Sequence, residues 1–272
     1  MYLARLDNDV IFKKAFSDPL VLTQFIKDIL GIDIVLKKIE TDKRFRPKIA
    51  RINFAYDIFA ESKDERVIVE VQRVDYDYNF ARFLHYHTMA IAELQRSAKD
   101  YTIKQTVYTI VVITAPDVIE DRQGHKIETD ELILDFNPRT RDGKIFDFCG
   151  HQLIFLYPRF KNQNTPASYV DWFDIILESI NNPEEPSINL QKPAIKKVAD
   201  LIEDDNLTPD EREAAKIAAA KEKTLSLYEA KGRKEAHLET ATKMKAEGFD
   251  VEMIVKMTGL DVDAVNQIKV NS

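Results

Sequence analysis

The sequence predicts an α/β protein with a helical C-terminal tail. Three observations carry that expectation: apolar residues at helical spacing over 9–30 and 77–97, an alternating pair of strands over 52–73, and the β-branched run TVYTIVVIT over 106–114. In the first helix Val10, Phe12, Phe16, Leu22, Phe25, Ile26 and Ile29 share the apolar side, with a break at Asp18-Pro19, and Gly31 closes it. Residues 34–40 predict a strand. In 52–61, Ile52, Phe54, Tyr56, Ile58 and Ala60 fall on one face, and Asn53, Ala55, Asp57, Phe59 and Glu61 on the other. The polar turn SKDE over 62–65 joins this strand to 66–73 as a hairpin. Phe80, Phe83, Leu84, Met89, Ile91 and Leu94 give 77–97 its apolar side. The run 106–114 predicts a buried strand. Shorter strands are expected at 131–136, 144–148 and 152–157, and a helix at 168–181 closes a first domain, 1–182.

Asn-Asn-Pro-Glu-Glu-Pro over 181–186 opens an expected linker, 183–208. After Thr208-Pro209, a cap and a first-turn proline, the composition turns to Ala, Lys and Glu, so 209–247 predicts a charged helix. Residues 249–268 predict two short helices joined at Thr258-Gly259-Leu260.

Composition narrows the function classes. The 272 residues carry a formal charge of −7, so nucleic-acid binding needs a local basic patch. A single cysteine, Cys149, excludes an internal disulfide and a cysteine-rich zinc site, which suits a reducing cytosol. No apolar run is long enough to span a bilayer, and the first residues lack a signal-peptide core, so a cytoplasmic protein without a membrane partner is expected. With seven glycines and no phosphate-loop motif, nucleotide-dependent chemistry is not expected.

The hairpin carries the chemistry. Period two puts Glu70 and Gln72 on one face of their strand, opposite Val67, Val69 and Val71. Asp57 lies on the partner strand, across the turn. Two carboxylates on adjacent strands can converge on one hard cation, and Mg²⁺ commonly takes only one or two carboxylates, with water and substrate phosphate filling the rest of its shell. The bland alternative is a pair of half-exposed acids on a solvent face. Against it, both acids interrupt strongly apolar strands. Upstream, Lys37 to Arg51 holds seven cations, among them Arg44, Arg46, Lys48 and Arg51, against Glu40 and Asp42. This is either a DNA phosphate-binding edge beside the site or a solvated loop. His85 and His87, two apart on a helix, point in different directions and do not form a ligand pair.

Four segments together resemble the PD-(D/E)XK nuclease family transposases, the recombination-promoting nuclease group. They are Asp9–Phe16 (DVIFKKAF), Tyr56-Asp57-Ile58, Ile68–Gln72 (IVEVQ) and Phe80–Tyr86 (FARFLHY), and the tail from Lys243 to Ile268 is also similar to one found in that group. The resemblance implies a restriction-endonuclease-like mixed central sheet flanked by helices and Mg²⁺-dependent DNA cleavage. Asp57 and Glu70 stand where the motif's two acids belong. Gln72 stands where the superfamily usually has lysine, although the group resembled often has glutamine there. Glutamine supplies neutral hydrogen bonds in place of a charge. The expected roles are Mg²⁺ ligation by Asp57, Glu70 and the carbonyl of Val71, with Gln72 orienting the attacking water. Asp9 is either a further acid or a helix cap. Arg82 and Tyr86 share a helix face, to contact DNA phosphate, to hold Glu70, or only to pack. The tail, acidic over 249–268, suits docking or homo-oligomer formation better than a DNA-binding helix-turn-helix. The alternatives to a nuclease are a catalytically weak DNA-binding relative and a protein-interaction module assembling through that tail.

Overall fold

The computed structural model describes residues 1–45, 54–73, 79–95, 102–115, 120–121 and 123–268. They divide into two compact units, Met1–Ala218 and Ala219–Ser272. Among the described residues no helix is long and apolar enough to cross a membrane.

The first unit is α/β, built on a mixed open sheet of β1 (Lys38–Phe45), β2 (Phe54–Glu61), β3 (Glu65–Gln72), β4 (Thr106–Ile113), β5 (Glu131–Asp135) and β6 (Gln152–Leu156), in the order β1-β2-β3-β4-β6-β5. β1, β2 and β3 are antiparallel neighbours, β3, β4 and β6 run parallel, and β5 closes the far edge antiparallel to β6. The hairpin expected over 52–73 therefore sits inside the sheet. Its turn is set by Ser62, whose Oγ accepts from the N–H groups of Asp64 and Glu65 at 3.0 and 2.9 Å.

Helices cover both faces. On one lie α1 (Asp9–Phe16), α2 (Pro19–Leu30), α4 (Ala167–Asn181) and α5 (Pro193–Ile202), packed on Ile58, Ala60, Val67, Val69, Ile110 and Val112. On the other, α3 (Asn79–Ala92) buries Phe83, Tyr86 and Ala90 against Tyr56, Phe59, Ile68, Val111 and Phe155. α1 and α2 are separate because Asp18 caps α2 through the N–H groups of Leu20 and Val21, with Pro19 at the first position.

Three expectations shift. β1 begins at Lys38, so most of the 34–40 strand is displaced toward the C-terminus. Residues 144–148 form no strand and belong to an exposed arm between β5 and β6. Residues 193–202, read as linker, form α5 and bury Ala194, Ile195, Val198, Ala199 and Ile202 in the core. The prolines and acids around 183–186 mask an amphipathic helix that begins ten residues later.

The long helix α6 (Pro209–Ala246) starts as the sequence predicts. Thr208 Oγ1 accepts from Glu211 N at 3.2 Å, and Glu211 Oε2 accepts from Thr208 N at 2.8 Å, a reciprocal cap. In the second unit α7 (Val251–Thr258) and α8 (Val262–Gln267), joined at Gly259 with φ +67°, bury Ile254 and Val265 against Ala241.

The densest packing of the first unit is aromatic. Phe16 stacks on Phe12 at 4.3 Å and meets Phe25 edge-on at 5.0 Å, and Phe25 in turn meets Trp172 at 5.1 Å. Phe16→Ala is expected to cost about 3–5 kcal/mol, measured by urea unfolding followed through Trp172, the chain's single tryptophan. A loss below about 1 kcal/mol would show that this cluster collapses around the void instead of depending on the ring.

Candidate active site

The β2–β3 ladder ends at the pair Ile58–Val69, although β3 continues to Gln72 along β4. Past that pair, side chains replace the missing backbone bonds. Asp57 N donates to Glu70 Oε1 at 3.1 Å, and Val71 N donates to Asp57 Oδ2 at 3.1 Å. The carbonyl of Gln72 accepts from Thr114 on the β4 side, so strand alternation turns the N–H and carbonyl of Val71 toward the opening.

β1 breaks its pleat at the same level. Its ladder with β2 skips the position where Asp42 faces Asp57, and Asp42 has φ +52°, a left-handed conformation that Asp tolerates better than most residues. Phe54, Tyr56 and Phe59 pack on the α3 side, but Ile58 and Ala60 pack on the α1 side, so alternation slips between Tyr56 and Ile58. Strict period two put Asp57 with Phe59. The distorted pleat instead brings it to α1, where Lys13 Nζ lies 3.3 Å from Asp57 Oδ1.

Lys13 was not among the candidates. Its ammonium also meets Asp42 at 2.6 Å and Asp9 at 2.8 Å, so three carboxylates surround it. Asn8, whose Oδ1 accepts from Val10 N, caps α1, so Asp9 is a first-turn partner of Lys13 and not the cap. Sequence offered one signal, the i,i+4 spacing of Asp9 and Lys13. Nothing local said that α1 would lie over Asp57.

On the α3 side, Glu70 and Gln72 are buried, on one face as predicted. Arg82 Nη1 donates to Gln72 Oε1 at 3.1 Å, and Arg82 Nε donates to the Tyr86 hydroxyl at 3.1 Å. Tyr86 is fixed by stacking on Phe54 at 4.5 Å and by its carbonyl, which accepts from the Tyr56 hydroxyl at 3.1 Å. Arg82 thus holds Gln72. Arg44 is exposed, opposite Ala55 on the β1–β2 ladder and two residues from Asp57 in register. Arg46, Lys48 and Arg51 lie outside the described residues. His87 is buried against Thr109 at 2.9 Å, and His85 packs on Phe54, apart from any joint role.

Burial governs the charges. It pushes the Asp57 carboxyl up to about 6, with Asp9 adding to the rise and Lys13 and the Val71 N–H opposing it. Burial and then Asp57 raise Glu70 well above the carboxylate range, against the Asp57 N–H and Arg82. Burial alone would lower Lys13, but Asp57, Asp42 and Asp9 outweigh it and raise the ammonium above its ordinary value. Four carboxylates, two of them with raised affinity for protons, thus gather near two cations, Lys13 and Arg82. Among the described residues no three His, Cys, Asp or Glu side chains form a group that could hold a metal ion, and Asp9, Asp42 and Asp57 all meet Lys13. The oxygen atoms at the opening are those of Asp57, which already meets Lys13 and the Val71 N–H, of Glu70, which accepts from the Asp57 N–H, and the Val71 carbonyl; a cation there would take oxygen ligands of the kind Mg²⁺ prefers, with water completing the shell.

Comparisons with protein-family models, with curated proteins and with solved structures return no match.

Because the folded state holds the Asp57 proton more tightly than the unfolded chain, this group's contribution to stability is present below pH 4 and is lost as pH rises through about 6. In EDTA, wild-type stability relative to Asp57→Asn should fall over that window by on the order of 3 kcal/mol. Parallel urea midpoints for the two proteins would contradict the burial of this carboxyl.

Proposed function

We propose that the protein is a Mg²⁺-dependent DNA endonuclease with a restriction-endonuclease-like core. The opening between β2 and β3 carries this reading. It presents the buried Glu70, the partly buried Asp57 and a turned-out carbonyl beside a fixed ammonium, at the positions where the sequence resembles the PD-(D/E)XK nucleases. The exposed Arg44 beside Asp57 suits a phosphate backbone.

Asp57, Glu70 and the Val71 carbonyl would hold the cation. A bound Mg²⁺ supplies polarisation of the scissile phosphate and a water of lowered pKa. Gln72, fixed by Arg82, offers hydrogen bonds that orient a water nucleophile. Lys13 provides the positive charge that position 72 lacks, and stabilises negative charge developing on the phosphate. Asp9 and Asp42 hold its ammonium in place.

Nicking of supercoiled plasmid tests this. Wild type should cut with Mg²⁺ and stop in EDTA. Asp57→Asn and Glu70→Gln should each lower the rate by about two orders of magnitude or more while staying folded, and Lys13→Met should cost about 10²–10³. Gln72→Ala should cost less than either acid. Cleavage that survives EDTA or both acid substitutions would refute the site. Failure to cut with any divalent metal, with duplex binding retained, would favour a catalytically weak DNA-binding protein.

A further inference from the structure

Between β5 and β6 the chain leaves the sheet as a two-stranded arm. Residues 138–148 are all exposed. Phe146 N donates to the Pro138 carbonyl at 3.0 Å, Thr140 N to the Lys144 carbonyl at 2.9 Å, and Arg139 bridges Ile145. The tip turns at Gly143, with φ +90°, a conformation that favours glycine. The root is pinned by Asn137, whose Oδ1 accepts from the N–H groups of Phe148, Cys149 and Gly150 at 3.0, 3.1 and 3.1 Å. The arm is therefore an ordered ribbon.

Its surface is unusual for an acidic protein. Arg139, Arg141 and Lys144 make no ion pair among the described residues. The arm holds two acids: Asp142 at the tip, engaged by the Thr140 hydroxyl, and Asp147 near the root between the two phenylalanines, so its three cations leave a net positive charge. Beside the cations, Phe146 and Phe148 are 40% and 79% exposed, and Lys144 lies over the Phe146 ring at 5.0 Å.

We propose that this arm is a second nucleic-acid contact, a β-ribbon that enters the major groove of a duplex. From Asn137 to Arg141 the ribbon spans about 14 Å, longer than the groove's depth of about 8.5 Å, and two strands fit its width of about 12 Å. The cations meet phosphates along the groove walls, and the phenyl rings meet apolar base edges. A second copy of the chain fits less well, because protein interfaces exclude charge from their centres and an arm-to-arm contact would oppose like charges. The proposal rests on the nuclease reading for its class of polymer but not on its site. The arm leaves at the start of β6, whereas Glu70 and Gln72 lie at the end of β3, which runs parallel through β4, so the two are at opposite ends of the sheet.

The test is fluorescence anisotropy of a labelled duplex of about two helical turns, in EDTA, across a salt series. Arg139→Glu/Arg141→Glu/Lys144→Glu should weaken binding by about tenfold or more and reduce the log–log salt slope by about 2–3. Phe148→Ala should weaken binding with the slope unchanged. The matching glutamine triple variant should show the same direction if the glutamate version folds poorly by circular dichroism. Unchanged affinity and slope would overturn the proposal, as would wild type failing to bind the duplex at low salt. A wild-type dimer that the triple variant dissociates, with duplex binding intact, would assign the arm to a second copy instead. Arm-dependent binding in a protein that never cuts DNA would sink the nuclease reading and leave the arm standing.

Discussion

Where β2 parts from β3, the backbone of two buried strands loses its ladder, and carboxylates take over its hydrogen bonding. The Val71 N–H must find an acceptor, because a buried unpaired donor costs on the order of 1–3 kcal/mol. Asp57 supplies it, while Glu70 accepts from the Asp57 N–H. The same two bonds that satisfy the backbone hold two acids at one opening. The left-handed Asp42, opposite Asp57, lets β1 follow the splayed strand.

This arrangement is electrostatically costly, and that cost is informative. Burial raises both carboxyls above the usual range, with Asp9 adding to the rise at Asp57 and Asp57 adding to it at Glu70. Lys13 answers part of the charge from α1, and Arg82 answers part from α3, so the two helical layers are both tied to the opening. A protein selected for stability alone would fill such a position with apolar residues.

Much of the architecture was legible because its signals are local. The β-branched 106–114, the Ser62 turn, the Pro209 helix start and the Gly259 joint each act within a few residues, and each appears where the sequence puts it, while the helix expected over 9–30 divides at Asp18-Pro19, the point of its expected break. The face shared by Glu70 and Gln72 follows from a strand that keeps its pleat. Asp57 was placed on the right strand, but its direction was misjudged, since the break at Asp42 depends on strand pairing that sequence spacing does not encode. Lys13 was passed over for the same reason: its partners Asp42 and Asp57 lie on other elements. α5 was hidden by a proline-rich approach, although Ala194, Ile195, Val198, Ala199 and Ile202 fall at helical spacing.

On the proposed function, the opening between β2 and β3 is a cation site built from Asp57 and Glu70. Calorimetric titration with Mn²⁺ in buffers of different ionisation enthalpy tests it most directly, because a cation entering this site must displace the protons that burial retains. One saturable site is expected, with net proton release larger at pH 6 than at pH 8 and binding lost in Asp57→Asn/Glu70→Gln. Binding that is unaltered in that double variant, or that releases no proton at pH 6, would contradict it.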